Sequence, residues 1–114
     1  MKMDRKITIA VKLFENDPFS IKFDYISNGE KLTGFALLFE GTYYVYKNQC
    51  QHLPVELDWE GNQFFDEENK FIICATHGAI YQPETGLCVG GPCNGKKLTT
   101  MPFEIEEDSI VVTI

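Results

Sequence analysis

Positive charge is in short supply in this chain: 10 lysines and arginines face 17 aspartates and glutamates, for a formal net charge of −7. A nucleic-acid backbone or an anionic lipid surface attracts the opposite sign, so both are poor partners. A basic protein surface suits the chain better. Long hydrophobic runs are missing as well. No window approaches the ~20 apolar residues of a membrane span. Lys12 interrupts the one N-terminal apolar stretch, Ile7 to Leu13, that a signal peptide would need to keep unbroken. The expectation is a cytoplasmic protein with no membrane insertion. Sustained helical spacing is absent too; it is arguable only around Leu53 to Trp59, for a turn or two. There is no internal repeat, low-complexity tract, linker or Asn-x-Ser/Thr site.

What is present reads as short strands between turns, in a length that suits one domain covering residues 1–114. Ile7, Ile9, Val11 and Leu13 alternate with polar or small residues, the period of a half-buried strand. Phe35 to Phe39 and Tyr43 to Tyr46 flank Glu40-Gly41-Thr42, a hairpin pattern of aromatic and β-branched residues around a glycine turn. Gln63 to Asp66 and Phe71 to Cys74 form a second hairpin-like pair, and Met101 to Ile105 with Ile110 to Ile114 a closing pair. The expected class is all-β, with antiparallel sheets around one core.

The chemistry concentrates in two short pairs. Cys50-Gln51-His52 is followed, after 21 residues, by Cys74-Ala75-Thr76-His77. The chain has only two histidines, and each lies within three residues of a cysteine. Two Cys/His pairs on separate loops supply the four donors of a metal site. Each pair follows an expected strand, which gives rigid delivery of ligands to adjacent loop tips. Two occupants compete. One is a structural zinc ion with two cysteines and two histidines. The other is a [2Fe–2S] cluster with both cysteines on one iron and both histidines on the other. Zinc fingers usually group like with like, whereas mixed pairs let each loop feed one ligand to each iron.

These residues resemble a known family. Cys50-Gln51-His52 and Cys74-Ala75-Thr76-His77-Gly78-Ala79-Ile80-Tyr81 look like the two cluster-binding boxes of Rieske proteins. Thr85-Gly86 with Gly90-Gly91-Pro92 looks like that family's third, proline-containing loop, which covers the cluster. The resemblance runs over roughly residues 35 to 114, and residues 1 to 34 add little signal. It implies a Rieske-type iron–sulfur fold with a cluster-binding subdomain over about 48–95. It also implies a [2Fe–2S] cluster held by Cys50 and Cys74 on the buried iron and by His52 and His77 on the outer, exposed one. Imidazole in place of thiolate raises the potential above that of all-cysteine clusters, into a family range of about −150 to +300 mV. Gly78, Ala79, Tyr81, Gly91 and Pro92 are the expected neighbours of the cluster.

The family's soluble ferredoxins and small oxygenase subunits are the nearest in kind. They imply a one-electron carrier, not itself an enzyme, between a reductase and a terminal oxidoreductase such as an oxygenase. Both histidines are then spent, so the two histidines and carboxylate of a non-haem oxygenase iron are not available. A redox-sensing regulatory subunit is the alternative of another class, and a structural zinc module a third. Cys88 and Cys93 bear on the second: they flank Gly90-Gly91-Pro92 and either bridge across that loop or remain two buried thiols. The respiratory members' disulfide between cluster loops cannot form, since Val55 and Thr76 occupy the matching positions. Between residues 48 and 95, Glu56, Asp58, Glu60, Asp66, Glu67, Glu68 and Glu84 face one cation, Lys70, either a solvated acidic surface or a docking face for a basic partner.

Respiratory Rieske proteins place a serine hydroxyl, which donates to a bridging sulfide, where this chain has Ala79; Tyr81 matches a tyrosine that reaches a ligand sulfur. Such donors stabilise the reduced cluster and raise its potential. With one donor missing, the potential is expected in the lower half of the family range. Ala79→Ser is expected to raise the midpoint potential measured by voltammetry; an unchanged or lower value contradicts this reading.

Overall fold

The computed structural model describes residues 6–49, 64–66, 70–74, 78–91 and 95–114. Nine strands and one short 3-10 turn make up the regular structure there. In chain order they are β1 (Lys6–Ala10), the turn Val11–Leu13, β2 (Phe19–Ser27), β3 (Glu30–Phe39) and β4 (Thr42–Lys47). Then come β5 (Ile72–Ile73), β6 (Ile80–Tyr81), β7 (Cys88–Gly90), β8 (Phe103–Glu106) and β9 (Ser109–Thr113). They form three antiparallel sheets of three strands each, ordered β1-β9-β8, β2-β3-β4 and β5-β6-β7. The all-β expectation holds.

The β2-β3-β4 sheet is central because both of its faces are apolar. Side chains alternate between faces along a strand, and β3 carries hydrophobic residues in both registers. Phe35, Leu37 and Phe39, with Tyr44 and Tyr46 of β4, face one core that also contains Phe64, Phe65, Ile72, Cys74 and Tyr81. Ala36, with Val45 of β4 and Ile21, Phe23 and Tyr25 of β2, faces the other, shared with Ile9, Ile110 and Val112 of the first sheet. The molecule is therefore layered, with the small β5-β6-β7 sheet on one side and the β1-β9-β8 sheet on the other. Among the described residues no helix is long and apolar enough to cross a membrane.

Turn chemistry fixes the registers. Asn28 and Gly29 have φ of 52° and 78°, and Glu40 and Gly41 have 52° and 82°. Two successive positive φ values match the twist that a two-residue hairpin needs. The second turn is also held from outside: both Asp17 carboxylate oxygens accept from it, from Glu40 N–H (3.0 Å) and Gly41 N–H (2.8 Å).

Two expectations change. β1 ends at Ala10 and the chain coils through Val11–Leu13, so the alternation that continues to Leu13 is not strand to its end. Residues 1–34, read as carrying little signal, contain β1, β2 and the start of the longest hairpin. Their alternation (Phe19, Ile21, Phe23, Tyr25) and Asn28-Gly29 were the missed signals. The helical spacing around Leu53 to Trp59 lies outside the described residues. The hairpins around Gly41 and around Glu106–Ser109 form as expected. That between Asp66 and Phe71 is marked by a Phe65–Ile72 bridge and by Asp66 N–H donating to Phe71 O (2.9 Å).

Ile105 and Ile110 are directly paired across β8 and β9, yet Ile110 is 0% exposed and Ile105 49%. Truncating a fully buried isoleucine costs ~2–5 kcal/mol through lost burial and a cavity, whereas a surface truncation stays within about 0.5 kcal/mol. Chemical denaturation of Ile110→Ala and Ile105→Ala is expected to reproduce that contrast; equal losses would contradict the placement of the core.

Candidate metal centre

The site is built at the end of the small sheet. β5 is only two residues long, and Cys74 follows it directly, fully buried in the core that includes Ile72, Ala79 and Tyr81. The backbone closes on itself just past Cys74. Cys74 N–H donates to Ala79 O (2.8 Å), and Gly78 N–H donates to Cys74 O (2.8 Å). Gly78 has φ of 72°, a value that suits glycine and lets the chain turn back into β6. Main-chain bonds on both its amide and its carbonyl fix the backbone of Cys74, and full burial restricts where its side chain can turn.

The third motif packs on this turn with no side chain between. A Cβ at Gly91 would lie 2.7 Å from Ala79 Cα, 3.1 Å from Gly78 O and 3.2 Å from Ala79 N. Gly91 is thus present because two main chains touch there, and its φ of 87° adds a second reason. Ala79 is fully buried beneath that contact, while Gly78 and Gly91 are exposed at the tip. Tyr81 is fully buried in the same core as Cys74, so its ring packs whatever else its hydroxyl does. β6 and β7 change register between Ile80 and Tyr81, a bulge of the kind that redirects side chains near functional sites.

Of the expected ligands, the structure describes Cys74; Cys50, His52 and His77 lie outside the described residues, as do Pro92 and Cys93. Cys88 is buried, and its thiol donates to Gly90 O at 3.1 Å. Of the acids in this half, Asp66 has structural work: its Oδ1 accepts from Lys70 N–H (3.0 Å) and Phe71 N–H (3.3 Å). Glu84 is exposed.

Sequence reasoning missed the approach to the first pair. Lys47 N–H donates to Thr99 O (2.8 Å), and Asn48, buried, donates through N–H to Thr33 O (3.0 Å) and through Nδ2 to Thr33 Oγ1 (3.1 Å). The chain is therefore fixed two residues before Cys50. A buried asparagine just before a cysteine is weak as a sequence signal, because asparagine is usually a surface residue.

The model of the Rieske [2Fe-2S] domain matches residues 9–106. The chain belongs to the Rieske [2Fe–2S] domain family and carries a [2Fe–2S] cluster. The match begins well before residue 35 and takes in the whole of β2. No curated protein matches the chain. Among solved structures, the ferredoxin of carbazole 1,9a-dioxygenase from Nocardioides aromaticivorans IC177 is 16% identical, with a TM-score of 0.67 and 97% of each chain covered. The Sphingomonas yanoikuyae B1 ferredoxin is 19% identical, with a TM-score of 0.68, covering 96% of this chain and 99% of that one. A carbazole-bound oxygenase and ferredoxin complex of carbazole 1,9a-dioxygenase is 20% identical with a TM-score of 0.67. It covers 94% of this chain, which spans only 27% of the matched one. These likenesses establish the fold.

The described residues fit such a cluster. A buried thiol sits at the base of a turn closed by main-chain bonds, and a glycine loop lies over that turn at a distance no side chain would permit. Gly91→Ala adds a methyl against main chain, at ~1–3 kcal/mol for overpacking and ~1–2 kcal/mol for left-handed backbone. Iron bound per chain is expected to fall while far-UV circular dichroism keeps its β signature. Full iron loading would show that the two loops can separate without loss.

Proposed function

We propose that this chain is a soluble, cytoplasmic Rieske-type ferredoxin, a one-electron carrier between a reductase and a terminal oxidoreductase such as an oxygenase. Cys50 and Cys74 hold the inner iron of its cluster, and His52 and His77 the outer one. It works as one domain over residues 1–114, with the cluster-binding part over about 48–95. The observation that carries this is the pairing of a match along residues 9–106 with a fully buried Cys74 at the base of the turn on which Gly91 packs. Two structural neighbours that the chain matches almost end to end are ferredoxins, one of them the ferredoxin of carbazole 1,9a-dioxygenase, which supports a carrier over a catalytic subunit.

A [2Fe–2S] cluster with two imidazole ligands supplies storage of one electron at a higher potential than an all-cysteine cluster. The chain's own residues do the rest. Cys74 and the core around Phe35, Phe64 and Tyr81 exclude water from the inner side, which limits reorganisation in the surrounding medium. Gly78 and Gly91 are exposed and present no side chain of their own to a partner surface. The chain itself is proposed to turn over no substrate: its two histidines are both committed to the cluster. The redox partner is proposed to be basic where it docks, because residues 48–95 hold seven acids and one lysine.

The test is reconstituted electron transfer. With a reductase and an oxygenase of the Rieske class, the loaded protein is expected to support turnover, and the apparent second-order rate should fall as salt rises from about 0.05 to 0.5 M, since steering between exposed charges is screened over ~10 Å at 0.1 M and ~3 Å at 1 M. A rate indifferent to salt defeats the acidic docking face. Failure to reduce any oxygenase while the cluster itself cycles defeats the carrier role.

A further inference from the structure

Tyr46 is tied to three parts of the molecule at once. Its backbone lies in β4, four residues before Cys50, and bridges to Thr100. Its ring packs on Phe35, with centroids 5.8 Å apart, in the core that holds Cys74. Its hydroxyl donates 2.7 Å to Pro83 O, a buried bond across 37 residues. Pro83 stands in the turn between β6 and β7 and is itself among the fully buried side chains.

That turn closes tightly around the ring. Gly86 N–H donates to Gln82 O (2.7 Å), and Leu98 N–H donates to Gly86 O (2.8 Å). A Cβ at Gly86 would lie 2.9 Å from the Tyr46 ring and 3.3 Å from Leu98 Cβ. Burial, and then the nearness of Tyr44 and Glu84, push the Tyr46 phenol well above the ordinary tyrosine range, so it stays a donor at any working pH. The β6–β7 hairpin runs from this turn to the metal centre, where its other ends carry Ala79 and Gly91. One side chain thus joins the strand leading to the first ligand pair with the hairpin that carries the second box and the covering loop.

Resting on the cluster-carrier reading above, we propose that Tyr46 is a positioning residue for the metal centre, its hydroxyl bond to Pro83 fixing the separation between the Cys50 arm and the Cys74–Gly91 arm. The hydroxyl is bonded to Pro83 O and acts through the turn. This predicts an effect on the cluster from a change that leaves the ring and the core volume in place. Tyr46→Phe does that, leaving Pro83 O buried without its donor. Tyr44→Phe is the control, since Tyr44 belongs to the same strand and core face and has no bond to Pro83 in the structure.

The experiment uses the fully loaded protein. Iron release to bathophenanthroline is followed below the unfolding transition, and the EPR spectrum of the reduced protein is recorded for the wild type and both variants. Tyr46→Phe is expected to release iron about tenfold faster and to shift or broaden the EPR g-values, with Tyr44→Phe matching the wild type. An unchanged spectrum and release rate in Tyr46→Phe, or equal changes in both variants, overturns the proposal. Hydrogen exchange on the wild type decides the matter even if Tyr46→Phe does not fold. The Gly86 and Leu98 amides should be protected to the same degree as the Lys47 and Met101 amides that anchor β4; markedly faster exchange in the turn shows the two parts are not coupled. A wild type that binds no iron–sulfur cluster overturns the function proposed above and this inference with it, whereas a loaded wild type with an indifferent Tyr46→Phe overturns this inference alone.

Discussion

A strand of two residues cannot by itself hold Cys74, the proposed ligand, still, and the proposed metal centre depends on how that residue is braced from outside β5. The brace has two parts. Main-chain bonds close the turn from Cys74 to Ala79, and Phe64, bonded through its carbonyl to Ile73 N–H, stacks on Phe35 of the central sheet with ring centroids 4.1 Å apart. The β5-β6-β7 sheet, with strands of two, two and three residues, is too small to be stable alone. It borrows rigidity from the face of β3 and β4 on which it lies.

That dependence explains why the central sheet is apolar on both sides. A sheet with one solvated face shows clean alternation of apolar and polar residues, and β2 keeps much of that pattern. β3 does not: Phe35, Ala36, Leu37 and Phe39 are all buried, because one register supports the β5-β6-β7 layer and the other packs on β1 and β9. The run from Phe35 to Phe39 was legible as a strand because of its density of apolar residues. Its two-sided role was not, since periodicity alone cannot assign the two faces of a continuous apolar run to different layers.

The site was legible in the sequence to a different degree from the frame. Mixed Cys/His pairs are rare enough to carry their own meaning, and the Gly-Gly-Pro segment after them strengthened it; the contact of Gly91 with Ala79 supplies its physical reason. What the sequence could not reveal are links between residues far apart in the chain: Asp17 holding Gly41, Asn48 holding Thr33, Tyr46 holding Pro83. None has a local signature, and each uses a residue type that would pass as surface or ordinary core. The acidic character of residues 48–95 was legible as a total charge, but not as a division of labour. Asp66 caps the turn before Phe71, so its charge is partly structural, while Glu84 is exposed.

The account stands or falls on mixed ligation by two cysteines and two histidines. Iron and acid-labile sulfide analysis of anaerobically prepared protein, with pulsed EPR of the reduced state to resolve nitrogen coupling, tests that directly. The expected result is two irons and two sulfides per chain, as a [2Fe–2S] cluster requires, with two imidazole nitrogens coupled to the reduced iron. Zinc in place of iron and sulfide, or a cluster with no nitrogen coupling, would contradict it.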